Sequence, residues 1–257
     1  MTDLRLISWN VNGIRAAERK GFLDWLARCQ ADIVAIQETK ASPEQLSPAV
    51  INPPGYVSVW NAAEKKGYSG VATYSREVPK QIRTGLDDPR FDGEGRVLIT
   101  EFEPFTLFNI YFPNGGRGPA WVQHKLAFYD RFLEVITPLL AEGRPLVVTG
   151  DVNTAFAEID LARPKENSKT SGFLPEERQG LAKFFEAGLI DTFRHVRPTE
   201  VKYSWWDLRS FARQKGIGWR IDYVFVSPNL REGIVDADIH TEVEGSDHAP
   251  VSLTLRL

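Results

Sequence analysis

The sequence predicts a mixed α/β protein, and three observations carry that reading. Nine short runs rich in β-branched, aromatic and other apolar residues recur along the 257-residue chain, too many for a helical protein. Between some of them lie longer stretches whose apolar residues return every three or four positions. No Gly/Ser linker or low-complexity segment divides the chain, so a single domain over residues 1–257 is expected.

The expected strands are residues 4–9, 32–37, 56–60, 71–74, 97–102, 105–111, 146–149, 221–226 and 251–255. A first helix is marked by Phe22, Leu23, Trp25, Leu26 and Cys29, and a longer one by Trp121, Lys125, Phe128, Phe132, Ile136, Leu139 and Leu140. A third runs over residues 175–187, with Leu181, Phe184 and Phe185 on its apolar face and Gly188 as its stop. The polar, glycine-bearing loops at residues 61–70, 114–119, 160–173 and 207–218 are long for a compact domain, and such loops usually carry function.

One cysteine, Cys29, and four histidines leave no raw material for a Cys/His zinc cluster or an intrachain disulfide, so a reducing compartment and a cytoplasmic location are expected. The N-terminal residues lack the pattern of a signal peptide, and no window of ~18 apolar residues spans a membrane. With 31 basic against 34 acidic residues the net charge is −3, which does not suggest a general polyanion binder of the histone type; any nucleic acid must meet a local basic surface.

Acidic and amide residues fall where strands end. The run 4–9 leads into Asn10, the run 32–37 into Glu38, and the run 146–149 into Gly150, Asp151, Val152 and Asn153. Asn and Asp also terminate strands without any function. Ends of strands that run the same way share one rim, however, and three such ends together favour a site. Hard oxygen ligands suit Mg²⁺ or Mn²⁺, and an ion held by one or two carboxylates implies a phosphate substrate.

Asp247 and His248 precede the last strand, and Asp222 opens an earlier one. A lone histidine in a turn is usually solvated and inert; a carboxylate beside it would orient the ring and raise its pKa, and spacing alone leaves both readings open. Tyr111, Asn114 and Arg117 close another strand, where a Pro-Asn-Gly turn explains only the middle of the segment. Residues 163–169 are locally basic, and Tyr203, Trp205, Trp206 and Trp219 lie near Arg209, Arg213, Lys215 and Arg220. Cations interleaved with aromatics suit a nucleic-acid groove, although the tryptophans serve a core equally well.

Taken together these segments resemble the exonuclease III family of apurinic/apyrimidinic (AP) endonucleases. The resemblance covers residues 4–257 and is carried by nine segments in family order. They are Ser8-Trp9-Asn10-Val11-Asn12-Gly13-Ile14-Arg15, Ile36-Gln37-Glu38-Thr39-Lys40, Gly67-Tyr68-Ser69-Gly70-Val71, Tyr111-Phe112-Pro113-Asn114-Gly115 and Gly150-Asp151-Val152-Asn153. Glu158-Ile159-Asp160-Leu161, Gly172-Phe173-Leu174-Pro175-Glu176-Glu177-Arg178, Gly218-Trp219-Arg220-Ile221-Asp222-Tyr223 and Ser246-Asp247-His248-Ala249-Pro250 complete the set.

The resemblance implies a four-layered α/β sandwich, two sheets face to face with helices outside. It implies metal-dependent hydrolysis of the phosphodiester 5′ to an abasic site in double-stranded DNA, leaving a 3′ hydroxyl. It also implies 3′→5′ exonuclease and 3′-phosphodiesterase action on blocked ends. Nothing in the sequence suggests an obligate partner, and a monomer is expected.

Carried over residue by residue, Glu38 is the principal Mg²⁺ (or Mn²⁺) ligand with Asn10, Asn12 and Asp247 around it, Asn12 standing where some relatives have Asp. Asp151 positions and deprotonates the attacking water, with Asn153 beside it. His248, oriented by Asp222, meets a non-bridging phosphate oxygen. Tyr111 and Asn114 hold the scissile phosphate and Asn167 the neighbouring backbone. Trp205, Trp219 and Ile221 form the pocket for the flipped-out sugar, Trp205 replacing the Phe of some relatives, while Arg117 and Arg209 reach into the duplex. Some archaeal members with a similar arginine also incise at deoxyuridine. Two other outcomes are a phosphatase on the same fold, which lacks the Trp219–Tyr223 and Gly172–Pro175 segments, and a non-catalytic binding relative, which would have lost Glu38, Asp151, Asn153, Asp222 or His248.

Overall fold

The computed structural model describes residues 3–257, the side chain of Ser210 excepted. Twelve strands alternate with helices: β1 (Asp3–Asn10), β2 (Ile33–Gln37), β3 (Val57–Asn61), β4 (Val71–Ser75), β5 (Gln81–Thr84), β6 (Val97–Glu101), β7 (Thr106–Tyr111), β8 (Leu146–Asp151), β9 (Ile190–Asp191), β10 (Asp222–Val226), β11 (Ile234–Ile239) and β12 (Val251–Arg256). The helices are α1 (Ile14–Arg19), α2 (Phe22–Arg28), α3 (Pro48–Ile51), α4 (Pro119–Ala141), α5 (Pro175–Glu186) and α6 (Thr192–Val196).

The strands form two six-stranded sheets, ordered β11-β12-β1-β2-β4-β3 and β5-β6-β7-β8-β10-β9. Each holds one parallel pair at its centre, β1 with β2 and β7 with β8, and antiparallel neighbours elsewhere. Helices α1 and α2 cover the first sheet, where Ile7, Trp9, Val34 and Ile36 pack on Ile14, Phe22 and Leu26. Helices α4 and α5 cover the second, where Phe108, Ile110, Val148 and Phe225 meet Phe128, Phe132, Leu181 and Phe184. Between the sheets lie Leu6, Ile33, Leu107, Val147, Val224 and Leu253. Helices, sheet, sheet and helices make the four layers expected.

Side chains of a strand alternate between its faces, and this alternation writes the site. The inward set of β1 is Leu6, Ser8 and Asn10; of β7, Leu107, Asn109 and Tyr111; of β8, Val147, Thr149 and Asp151; of β10, read backwards, Val226, Val224 and Asp222. Every series runs from apolar to polar toward the same rim. Midway, the Gln37 amide donates to Asn109 Oδ1 at 2.8 Å and Ser8 Oγ at 2.9 Å, while Asn109 donates to the Ala72 carbonyl at 2.8 Å. The two bonds of Asn109 cross between the sheets, and loss of any of the three would leave buried polar groups unpaired.

Glycine is required where β7 and β8 approach. Gly150 has φ 141°, and a Cβ there would lie 1.8 Å from the Ile110 carbonyl oxygen. Gly150→Ala is therefore expected to cost ~3 kcal/mol or more by forcing the central pair apart. A urea midpoint unchanged from wild type would contradict it.

All nine expected strands are present, and that of residues 146–149 runs on to Asp151 because Asp151 pairs with both Tyr111 and Asp222. Strands β5, β9 and β11 escaped the sequence reading: β5 is exposed throughout, β9 has two residues, and β11 alternates Asp236 and Asp238 with small or apolar residues at a sheet edge. Among the described residues no helix is long and apolar enough to cross a membrane.

Candidate active site

Asn10, Tyr111 and Asp151 end their strands on one rim, and Asp222, opening an antiparallel strand, stands opposite Asp151 in register. Glu38, Asn12 and Asn153 follow strand ends with φ of 52°, 48° and 58°. This left-handed region suits Asn but is unusual for Glu; hydrogen bonds from the Gly13 and Val11 amides to the Glu38 and Gln37 carbonyls hold the turn.

A chain of side-chain bonds joins the sheets. The Asn10 amide donates to Asp151 Oδ2 at 2.9 Å and to Glu38 Oε1 at 3.0 Å. Asp151 also accepts from the Asn153 backbone at 2.8 Å, and Asn153 Oδ1 accepts from the Asn114 amide at 2.8 Å. Asn10 is thus a bridge between two carboxylates, with its oxygen taken by the Asn12 backbone amide. Asn12 donates to Asp247 Oδ1 at 2.9 Å.

His248 and Asp222 do pair: Nδ1 lies 2.8 Å from Asp222 Oδ2, and Nε2 lies 3.8 Å from Asp151 Oδ2. Both side chains are buried, and Ser204 Oγ donates to the same Asp222 oxygen at 2.6 Å. The structure thereby settles the alternative that spacing left open. A solvated histidine would not be enclosed by three acids.

The electrostatics follow from this enclosure. Burial pushes the Asp151 carboxyl up and Asp222 adds to the rise against His248, leaving it at about 7. For His248, burial opposes the charge, but Asp222, Asp151 and Asp247 outweigh it and raise the imidazole to about 10. The ring is therefore a cation at neutral pH. Burial also works on Glu38, yet Lys40 and the Asn10 and Tyr111 hydrogen bonds prevail and hold its carboxyl below the ordinary value. Burial, with Glu38 and Asp151 nearby, raises the Tyr111 phenol well above its ordinary range, so it stays a proton donor.

These groups face a pocket of about 320 Å³. Its polar wall is Asn12, Glu38, Tyr111, Asn114, Asp151, Asn153, Asp247 and His248; the other wall is Trp205, Trp219 and Ile221, closed by Thr170, Ser171 and Gly172. The two indoles meet edge to face at 6.3 Å, and Trp205 Nε1 donates to Asp247 Oδ2 at 3.2 Å. Arg117, Asn167 and Arg209 are not in the lining but lie on the loops that supply Asn114, Thr170 and Trp205. Arg117 is exposed over the Trp121 ring at 4.7 Å, whereas the Asn167 amide is spent on the Ala162 and Arg163 carbonyls of its own loop.

Three supporting residues were not singled out as site residues from sequence. Lys40 lies 2.7 Å from Glu38 Oε2 and also bonds Asn12 Oδ1; Ser204 holds Asp222; Arg96 packs its guanidinium 4.9 Å from the Tyr111 ring centre and donates to the Tyr111 carbonyl at 3.1 Å. A lysine two positions from a strand-end glutamate was a readable signal for the first. Nothing local marked the other two.

Stacked sheets whose common rim gathers carboxylates, amides, a phenol and an acid-backed histidine define a hydrolase of phosphate esters. Comparison with known proteins makes the class particular. Residues 7–248 match the model of the endonuclease/exonuclease/phosphatase family. The chain is 44% identical over 256 residues to the exodeoxyribonuclease of Bacillus subtilis, covering 99% of this chain and 100% of that one. Among solved structures it is similar to an AP endonuclease from Archaeoglobus fulgidus, with TM-score 0.90, 29% identity and coverage of 99% of this chain and 100% of that one. It is similar too to a 3′ phosphatase from Neisseria bound to a product DNA hairpin, with TM-score 0.92, 28% identity and the same coverages. The chain belongs to the endonuclease/exonuclease/phosphatase family, in its exonuclease III branch of AP endonucleases, a group of metal-dependent DNA repair hydrolases.

The donor chemistry of the rim fits such a metal. Glu38 and Asp247 offer hard carboxylate oxygens to one pocket, and the Lys40 ammonium sits against Glu38 Oε2 and the Asn12 amide oxygen, oxygens that already accommodate positive charge. Among the described residues, Asp151, Asp222 and His248 form an acid–histidine group whose ligand atoms lie within 4.8 Å of one another. There Asp222 is committed to orienting the ring.

Proposed function

We propose that the protein hydrolyses the phosphodiester 5′ to abasic sites in double-stranded DNA, leaving a 3′ hydroxyl. The observation that carries this reading is the apolar pocket of Trp205, Trp219 and Ile221 opening directly beside Asp151 and His248. Such a pocket receives a sugar without a base, and extrusion is cheapest where pairing is already lost. Blocked 3′ ends present the same phosphate and sugar, so 3′→5′ exonuclease and 3′-phosphodiesterase action belong to the same reading; deoxyuridine incision, which keeps a base on the sugar, is a separate activity that the test below decides.

In this mechanism Glu38 and Asp247, with Asn10 and Asn12 behind them, hold Mg²⁺ or Mn²⁺, which supplies Lewis-acid stabilisation of the phosphate charge. Tyr111 and Asn114 donate to the scissile phosphate from one side. Cationic His248, fixed by Asp222, donates from the other to the charge that builds in the transition state. Asp151, aligned by Asn10 and Asn153, orients the attacking water and takes its proton. Arg117, Arg209 and the backbone around Asn167 flank the pocket along the duplex. In the same reading the protein is a monomer of the cytoplasm, where the lone thiol of Cys29 stays reduced.

The test is nicking of a labelled duplex with one abasic site, in Mg²⁺ and in EDTA, beside intact and uracil-containing duplexes. Incision on the 5′ side, lost in EDTA and absent on intact duplex, is expected; no nick by the wild type would sink the reading. A nick at uracil would add that activity, and its absence would remove it.

A further inference from the structure

We infer that the buried ion pair between Lys125 and Glu177 is a positioning device of the active site, holding Asn153 and the Ser171–Gly172 wall of the pocket in register. The inference rests on the catalytic roles proposed for Asp151 and Asn153. Lys125 sits on the apolar face of α4, near Val122, Phe128 and Tyr129, and neither it nor Glu177 has any exposed surface. An ammonium and a carboxylate so placed are costly to desolvate, and a well-packed apolar pair of similar volume is often as stable or more so. The attraction between the two charges does not by itself account for their burial; their further partners do.

The contacts of the pair point to the site. Lys125 Nζ donates to Glu177 Oε1 at 2.8 Å and to the Asn153 carbonyl at 2.7 Å. Glu177, in the first turn of α5, accepts from the Leu174 amide at 3.2 Å, from Ser171 Oγ at 2.9 Å and from the Gly172 amide. One end of the pair therefore grips the residue whose backbone and side chain bond Asp151, and the other grips two residues that close the pocket. The fit between these segments is tight. A Cβ on Gly172 would lie 3.2 Å from both the Asn153 carbonyl oxygen and the Trp219 ring, and one on Gly115, next to Asn114, would lie 2.5 Å from Ser171 Oγ and 3.1 Å from Glu177 Oε1. Tyr129, one turn along α4, adds a bond from its hydroxyl to the Val152 carbonyl at 2.8 Å. The helix thus supports the catalytic segment at two successive carbonyls, and proton transfer to Asp151 depends on that alignment.

The experiment compares Glu177→Ala, Glu177→Gln and the apolar double variant Lys125→Met/Glu177→Leu with wild type in steady-state incision, each well below its own melting midpoint. The double variant, which leaves the Gly172 and Leu174 amides and the Asn153 carbonyl without these partners, is expected to melt below wild type, and well below its own midpoint its kcat is expected to fall about tenfold, more than KM rises. Glu177→Gln is expected to keep more kcat than Glu177→Ala, because its amide oxygen still accepts from the Gly172 and Leu174 amides. Wild-type kcat in the double variant, or equal kcat in the two single variants, would overturn the inference and leave the pair a piece of scaffold. The same variants are read on plain duplex ends, so that a wild type that degrades ends but does not nick abasic duplex refutes the substrate while the effect of the pair is still measured.

Discussion

Asp151→Asn is expected to lower incision by about 10²–10⁴-fold, the range a positioned proton acceptor contributes. The amide keeps the size of the carboxylate and can still accept from the Asn153 backbone, so binding of uncut abasic duplex should change little. The loss should therefore appear in kcat. Because burial and Asp222 raise the Asp151 carboxyl to about 7, its ionised form is disfavoured in the fold. A carboxyl raised from an ordinary value of ~3.9 withdraws stability as pH rises from there through about 7. The stability difference between variant and wild type without divalent metal should consequently shift toward the variant over that window. Denaturant midpoints across pH check it. Equal incision by the variant would remove Asp151 from the reaction.

The second large effect concerns His248. His248→Asn retains an amide that can donate to Asp222 but cannot carry charge, and it is expected to lose about 10²–10³-fold in kcat, as when one donor to a developing oxyanion is removed. With the imidazole raised to about 10, the wild type should keep this contribution across neutral pH and lose it as pH climbs through that value. Stability has the same sign. A folded-state pKa above the unfolded value of ~6.5 contributes stability that is full below ~6.5 and gone above about 10. The variant should lack both alkaline slopes; a wild-type pH–rate profile flat beyond pH 10 would show that the charge is not used.

These effects depend on residues of different visibility in the sequence. The β-rich runs leading into Asn10, Glu38 and Asp151 showed where the rim would be, because alternation along a strand is a local property. The resemblance then supplied roles that composition and spacing did not. Spacing left the pairing of Asp222 with His248 open, the resemblance implied it, and the assembled strands bring the two groups to 2.8 Å, while the Asn167 amide donates within its own loop. Lys125 was legible as a cation on an apolar helix face, but its partner was not, since 52 residues separate it from Glu177.

The sequence by itself determined nine of the twelve strands and the principal helices, the apolar-to-polar gradient along each inward face and the residue types available at the strand ends. Tertiary structure decided which of those ends meet. Asn10 finds Asp151 across 141 residues of chain, and only the face-to-face stacking of two sheets brings them to 2.9 Å. The physical reason is range: backbone sterics and side-chain alternation act between neighbours, whereas burial and charge act between groups that the fold alone makes neighbours. The pKa values of Asp151 and His248, on which the chemistry turns, therefore belong to the assembled rim.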